Sequence, residues 1–281
     1  MQGEQTAQSP ASSWALVTGA SAGIGEEFCN QLAAMGYSLV LVARRGDRLQ
    51  QLAERLEERH GTACRCLAMD LSALDASRRL VESLAAEGIE IEFLVNNAGY
   101  GVPGYFTVPD WKTHADSLQL MLTSVCELTW RVLPGMQARN KGYIVNVASL
   151  AGLVPSSAAH TLYGATKSFL IRFSESLACE NLDSGVAISA LCPGFTYSEF
   201  HDVTGSRELV SQMPSYMWMT AGEVVSYGIE SVMREKPRVT AVPGRVNRFI
   251  AQLMRFMPRR LALWVTQSES RRWRARETGS A

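Results

Sequence analysis

The feature that most narrows the fold is a regular exchange of short, almost wholly apolar β-rich stretches for longer amphipathic ones. Trp14–Thr18, Ser38–Ala43, Thr62–Met69, Ile91–Val95, Gly142–Val147, Val186–Cys192 and Arg238–Val242 read as strands. Helical patterns open at Ile24 and Asp47, run through Leu84, and cover Trp111–Val132, Leu162–Asn181 and Gly222–Arg234. Strands with no polar alternation are buried on both faces, an environment that helices on either side of a parallel sheet provide. The expected fold class is therefore α/β, a doubly wound parallel sheet, and 281 residues suit one such domain. Its bounds are read as residues 13–244, after a polar tail over 1–12 and before a helical carboxy-terminal extension over 245–281.

A hydrophobic share of 47% with a formal net charge of +0 excludes a disordered chain and gives no general attraction to nucleic acid. Met1–Ser12 lacks the charged start and apolar run of a secretory signal, and no apolar run approaches the roughly 18 residues of a membrane span. A soluble cytoplasmic or peripheral protein is expected. Cys29, Cys64, Cys66, Cys126, Cys179 and Cys192 form no CxxC pair, so no metal site is expected. Cys64 and Cys66 fall on one face of a strand and read as core.

Thr18-Gly19-Ala20-Ser21-Ala22-Gly23-Ile24-Gly25 closes the first strand and opens a helix. Glycines let the backbone turn and approach a pyrophosphate, to which the N–H groups of a helix start are attracted. After the second strand, where an acidic residue would bind ribose hydroxyls, stand Ala43, Arg44 and Arg45. A guanidinium there binds the 2′-phosphate of NADP through charge-assisted bonds worth on the order of 1.5–3 kcal/mol. Two merely solvated arginines are the plainer reading. Asp70, followed by Leu71, is placed to accept from an adenine amino group or to cap the next segment, and the two roles are compatible.

Asn96-Asn97-Ala98-Gly99 ends the fourth strand and Ser149 the fifth. Tyr163 and Lys167, in Tyr163-Gly164-Ala165-Thr166-Lys167, are i and i+4 neighbours, so both polar ends leave one helix face. Taken together, the glycine loop, NNAG, Ser149, the YxxxK pair and Cys192-Pro193-Gly194 resemble the short-chain dehydrogenase/reductase family in its compact one-domain branch, from about Trp14 to Gly244. The resemblance implies a Rossmann-type fold and hydride transfer between NADP(H) and a carbonyl or secondary alcohol. By it, Tyr163 is the acid in reduction and the base in oxidation, Ser149 binds the substrate oxygen, and Lys167 holds the nicotinamide ribose and acidifies the tyrosine. Gly19, Ser21, Ala22, Gly23, Ile24 and Gly25 cradle the pyrophosphate; Asn97, Ala98 and Gly99 shape the site. Pro193 and Gly194 meet the nicotinamide, with Thr196 near its carboxamide or the phosphates. A homodimer or homotetramer is implied as well.

One member is missing. Where the family carries an asparagine whose backbone holds a relay water against the lysine, this chain has Met121, and a thioether cannot take an amide's part in a hydrogen-bond chain. Ser117 or Ser124 serves instead, or the lysine meets solvent differently; loss of redox activity, leaving a dinucleotide-binding scaffold, is the competing reading. Phe195, Tyr197, Phe200, Met213, Tyr216, Met217, Trp218 and Met219 suit a lid over an apolar small-molecule substrate: a ketone, a 3-oxoacyl chain or a sterol-like alcohol. His160 and His201 read as surface or packing residues, His60 and His114 carry no signal, and Arg207 alone assigns no anion. After Gly244, arginines at 245, 248, 255, 259, 260, 271, 272, 274 and 276 alternate with apolar residues, and Pro258 splits the stretch into two amphipathic helices. Peripheral membrane contact through this tail is one reading, and packing on the chain's own domain is the other.

Overall fold

A computed structural model describes residues 13–155, 158, 161–197, 214–258, 260–264 and 266–268. The first half reads β1 (Trp14–Thr18), α1 (Gly23–Ala34), β2 (Ser38–Ala43), α2 (Gly46–His60), β3 (Cys64–Ala68), α3 (Ala76–Ala86) and β4 (Ile91–Asn96). Then come α4 (Trp111–Leu118), a π-helical turn (Gln119–Thr123), α5 (Ser124–Ala138), β5 (Gly142–Val147), α6 (Thr161–Glu180) and β6 (Val186–Leu191). The chain continues through β7 (Phe195–Thr196), β8 (Trp218–Met219), α7 (Ala221–Met233), β9 (Thr240–Ala241) and α8 (Arg245–Phe256).

The main sheet has 7 strands in the order β3-β2-β1-β4-β5-β6-β9, and every pairing in it is parallel. The order reverses between β1 and β4, so the loops after these two strands diverge and leave a crevice at their carboxyl ends. Alternate residues of each strand feed opposite layers. Ala15, Val17, Leu39, Leu41, Phe93 and Val95 join a core with Phe28 and Leu52. Leu16, Val40, Val42 and Leu94 join one with Leu80 and Leu128. Burial on both faces is the reason these strands carry no polar alternation. Cys64 and Cys66 pack against the first core, and the Cys66 thiol points to the Leu49 carbonyl at 3.4 Å.

One expected helix, Trp111–Val132, is two. The π turn divides it, and the hydroxyl of Ser124, the first residue of α5, donates back into that turn to the Leu120 carbonyl at 2.7 Å. Among the described residues no helix is long and apolar enough to cross a membrane. After Gly244, α8 runs to Phe256, and residues 260–264 and 266–268 are helical beyond Pro258.

Candidate active site

The crevice is built by backbone before side chains enter it. Gly19 takes φ +67°, and a Cβ there would stand 2.8 Å from Asn97 Nδ2; at Gly25 a Cβ would run into the Gly19 carbonyl. Both positions therefore demand glycine, one for its dihedral and one for closeness. α1 starts on Ala22 with no side-chain cap, so first-turn N–H groups remain available to an anion at the helix start. Asn97 fastens the loop from the other side: its side-chain amide donates to the carbonyls of Thr18 at 3.0 Å and Gly19 at 3.3 Å. The Thr18 hydroxyl accepts from the N–H groups of Asn97 and Ala98 at 2.9 and 3.0 Å. These contacts tie Gly19 and the loop around Ser21, Gly23 and Ile24 to the NNAG segment, a cradle shaped for a dinucleotide.

Arg44 and Arg45 are exposed at the end of β2. Arg45 turns to the glycine loop, donating to Ser21 Oγ at 3.0 and 3.2 Å. Arg44 lies near enough to Asp70 to help lower its carboxyl. Burial would raise that carboxyl, but the Ser72 N–H and hydroxyl, at 2.9 and 2.8 Å, together with Arg44 and Lys112 outweigh it. Asp70 thus caps the turn beginning at Leu71, whereas α3 opens later, on Asp75.

Ser149 follows β5 with extended backbone, and its oxygen accepts from the Ala151 N–H at 3.1 Å. Its hydroxyl also hydrogen-bonds Tyr163, which pulls the phenol down; burial wins, pushing it up to about 12. The ring keeps a partly exposed edge, yet the protein packed about its hydroxyl withholds water. Lys167 is only 5% exposed. Its ammonium donates to the Val147 carbonyl at 2.7 Å and stands 5.6 Å from the centre of the Tyr163 ring. Burial depresses it to about 8. The protein alone therefore does not acidify the phenol as expected: the ammonium is itself desolvated and anchored on a carbonyl, so burial of Tyr163 sets the sign. At neutral pH this site holds a protonated phenol, a proton donor to an oxygen placed between it and Ser149.

Met121 lies in the π turn, 1% exposed. Its Sδ is 3.2 Å, and Lys167 Nζ 3.8 Å, from where a Cβ on Gly99 would stand. Ser124 is taken by its bond to Leu120. Of the two serines expected to substitute in a relay, Ser124 thus has its hydrogen committed and only its lone pairs left to accept.

The Pro193-Gly194 turn is clasped from both sides. The Leu150 N–H donates to the Pro193 carbonyl at 2.8 Å, and the Thr196 hydroxyl donates to that of Gly194 at 3.1 Å. A Cβ at Gly194 would stand 2.5 Å from Asn247 Oδ1. Asn247, on α8, is 3% exposed and donates to the Pro243 carbonyl at 2.9 Å. Neither Asn247 nor the buried polar link behind the site stood out in sequence. In that link Asn96 donates to Asn146 at 2.8 Å and to Thr129 at 3.1 Å, and Asn146 donates to Ser174 at 2.9 Å, joining β4, β5, α5 and α6. Of the apolar lid, Trp218 stacks on Tyr197 at 4.7 Å and meets Phe195 at 5.5 Å, so these rings pack on one another. Phe200, His201, Arg207, Met213 and His160 lie outside the described residues.

Beside Tyr163 is a cavity bounded by Phe106, His114, Ser117, Met121 and Leu162. His114 Nδ1 and Ser117 Oγ are buried there without a hydrogen-bond partner among the described residues. His114 gives no sequence signal and Ser117 stands out only as a relay substitute, because what sets the pair apart is that Nδ1 and Oγ lack partners among the described residues.

Residues 13–208 match the short chain dehydrogenase family. The very-long-chain 3-oxoacyl-CoA reductase of Homo sapiens is 34% identical over 222 residues, covering 78% of this chain and 69% of its own length. That of Rattus norvegicus is 30% identical over 247 residues, covering 86% and 77%. Among solved structures, a short-chain dehydrogenase from Sphingobium yanoikuyae in complex with NADPH is similar at a TM-score of 0.75 and 29% identity, covering 88% of this chain and 96% of that one. The bulky-bulky ketone specific alcohol dehydrogenase from Comamonas testosteroni gives 0.71 and 28%, covering 88% and 95%.

Proposed function

Because this chain belongs to the short-chain dehydrogenase family, we propose that it is an NADP(H)-dependent oxidoreductase working on a carbonyl or secondary alcohol of a mainly apolar substrate, with 3-oxoacyl chains the favoured class. The observation that carries the reading is the Ser149–Tyr163 hydrogen bond beside a buried Lys167. When bound, the cofactor supplies the hydride. Tyr163 gives its phenolic proton to the substrate oxygen, and Ser149 donates a second hydrogen bond to that oxygen as its charge grows. Lys167, whose ammonium stands 5.6 Å from the centre of the Tyr163 ring, would hold the nicotinamide ribose. A phenol held near 12 remains protonated at neutral pH, which suits the reduction direction.

Preference for NADP is supported by the two arginines at the end of β2 and by the NADPH bound in the Sphingobium yanoikuyae relative. The 3-oxoacyl class is supported by the activity for which the curated relatives are named. Exposed Trp130 on α5 and Phe169 on α6 suit contact between copies of the chain. Exposed Phe249, Leu253 and Phe256, followed by Leu261, Leu263 and Trp264, lie among arginines and suit an anionic membrane surface.

Consumption of NADPH over a series of 3-oxoacyl thioesters and plain ketones tests the reading. Tyr163→Phe is expected to lower kcat by about 10²–10⁴ while NADPH binding is retained. Turnover that survives the loss of the phenol would assign the chemistry elsewhere.

A further inference from the structure

The cavity beside Tyr163 has two polar atoms to which the proposed hydride transfer and protonation assign no contact. His114 and Ser117 are i and i+3 neighbours on α4, so both side chains leave one face. They are 5% and 1% exposed. His114 Nε2 lies 2.9 Å from the Phe106 carbonyl. A carbonyl only accepts, so a ring carrying one hydrogen has it on Nε2 and presents a lone pair at Nδ1. The ring packs against Phe106 in a tilted arrangement, centroids 5.0 Å apart. Ser117 Oγ can both give and take. Neither Nδ1 nor Oγ has a partner among the described residues, and both border the cavity that Tyr163 closes. Buried polar groups are nearly always satisfied, so two such atoms facing one cavity ask for a ligand group.

We propose that His114 and Ser117 form a hydroxyl-binding subsite, so that the preferred substrate carries a hydroxyl at a fixed distance from its reacting carbonyl. The inference rests on the oxidoreductase reading of Tyr163. The cavity volume, about 10 Å³, accommodates one water-sized oxygen. Of the common substrate groups, a hydroxyl matches both partners at once: its hydrogen goes to Nδ1 and its oxygen accepts from Ser117. A bare carbonyl leaves Nδ1 unmet, and a methylene leaves both atoms unmet. Apolar neighbours Met121 and Leu162 confine the polar match to this one point.

The test uses NADPH and straight-chain methyl ketones of one length, each with a single hydroxyl moved carbon by carbon, against the unsubstituted ketone. One hydroxyl position is expected to raise kcat/KM roughly tenfold or more over the plain ketone. Ser117→Ala and His114→Phe, the latter keeping a ring against Phe106, are expected to bring that ratio near one within each variant. A series flat in the parent, or a preference unchanged in both variants, overturns the subsite. Calorimetry on Tyr163→Phe protein loaded with NADPH, using the same ketone pair, separates the two readings. A binding preference that Ser117→Ala removes supports the subsite even where turnover is absent. Equal binding of the two ketones, or none by either, refutes it.

Discussion

Arg44 and Arg45 are neighbours in sequence with different surroundings. Arg45 is engaged on Ser21 of the glycine loop, so its removal should loosen the loop for any dinucleotide. Arg44 stands by Asp70, where a 2′-phosphate would neutralise charge that the loop does not need. Arg44→Ala is expected to weaken NADPH binding about 10–100-fold, the equivalent of roughly 1.5–3 kcal/mol, and to leave NADH nearly unchanged, as read by calorimetry. An equal loss for both cofactors would make Arg44 a structural residue. The same residues show what a sequence carries at this scale. Ser149, Tyr163 and Lys167 were legible because a strand end and an i, i+4 spacing bring them together whatever the rest of the fold does. His114 was silent because its meaning lies in a neighbouring carbonyl that uses one ring nitrogen and in the lack, among the described residues, of a partner for the other. The depression of Lys167 was silent for a similar cause: burial belongs to the fold.

At the scale of elements, the long strands and helices were legible, since period and length identify them. The π turn at Gln119–Thr123 was not, because no residue type in that stretch marks a single wider turn inside a helix. Nor were β7 and β8, two residues each, too short for any period to mark and paired across more than twenty positions of sequence. α8 presents an exposed apolar face among the described residues, with Phe249 at 64% and Phe256 at 81% exposure. Vesicles of phosphatidylserine and phosphatidylcholine are expected to carry the full chain into the pellet. Phe249→Asp with Phe256→Asp, two exposed changes that spare the Asn247 contact, should cut that fraction several-fold. Sedimentation equal in parent and double variant, or equal on purely neutral vesicles, would leave α8 without a membrane role.

Over the whole molecule, the buried ammonium of Lys167 burdens stability. Its folded-state pKa of about 8 is below the ordinary 10.5, so between these values the unfolded chain binds more protons, and stability rises with pH. The penalty is fully present below pH 8 and gone above 10.5. It corresponds to on the order of 3 kcal/mol. Lys167→Met is expected to unfold at higher urea than the parent at pH 7, and the gap should narrow by pH 10. A gap independent of pH would mean that packing, not charge, sets it.

β1 reaches its partner β4 only after two further strands have been laid down on its other side, and the turn at Gly194 arrives two strands later still. A chain halted midway through synthesis would hold a nucleotide cleft without chemistry. Severing it after β5 should likewise yield two inert pieces, with activity returning only where the halves find each other again.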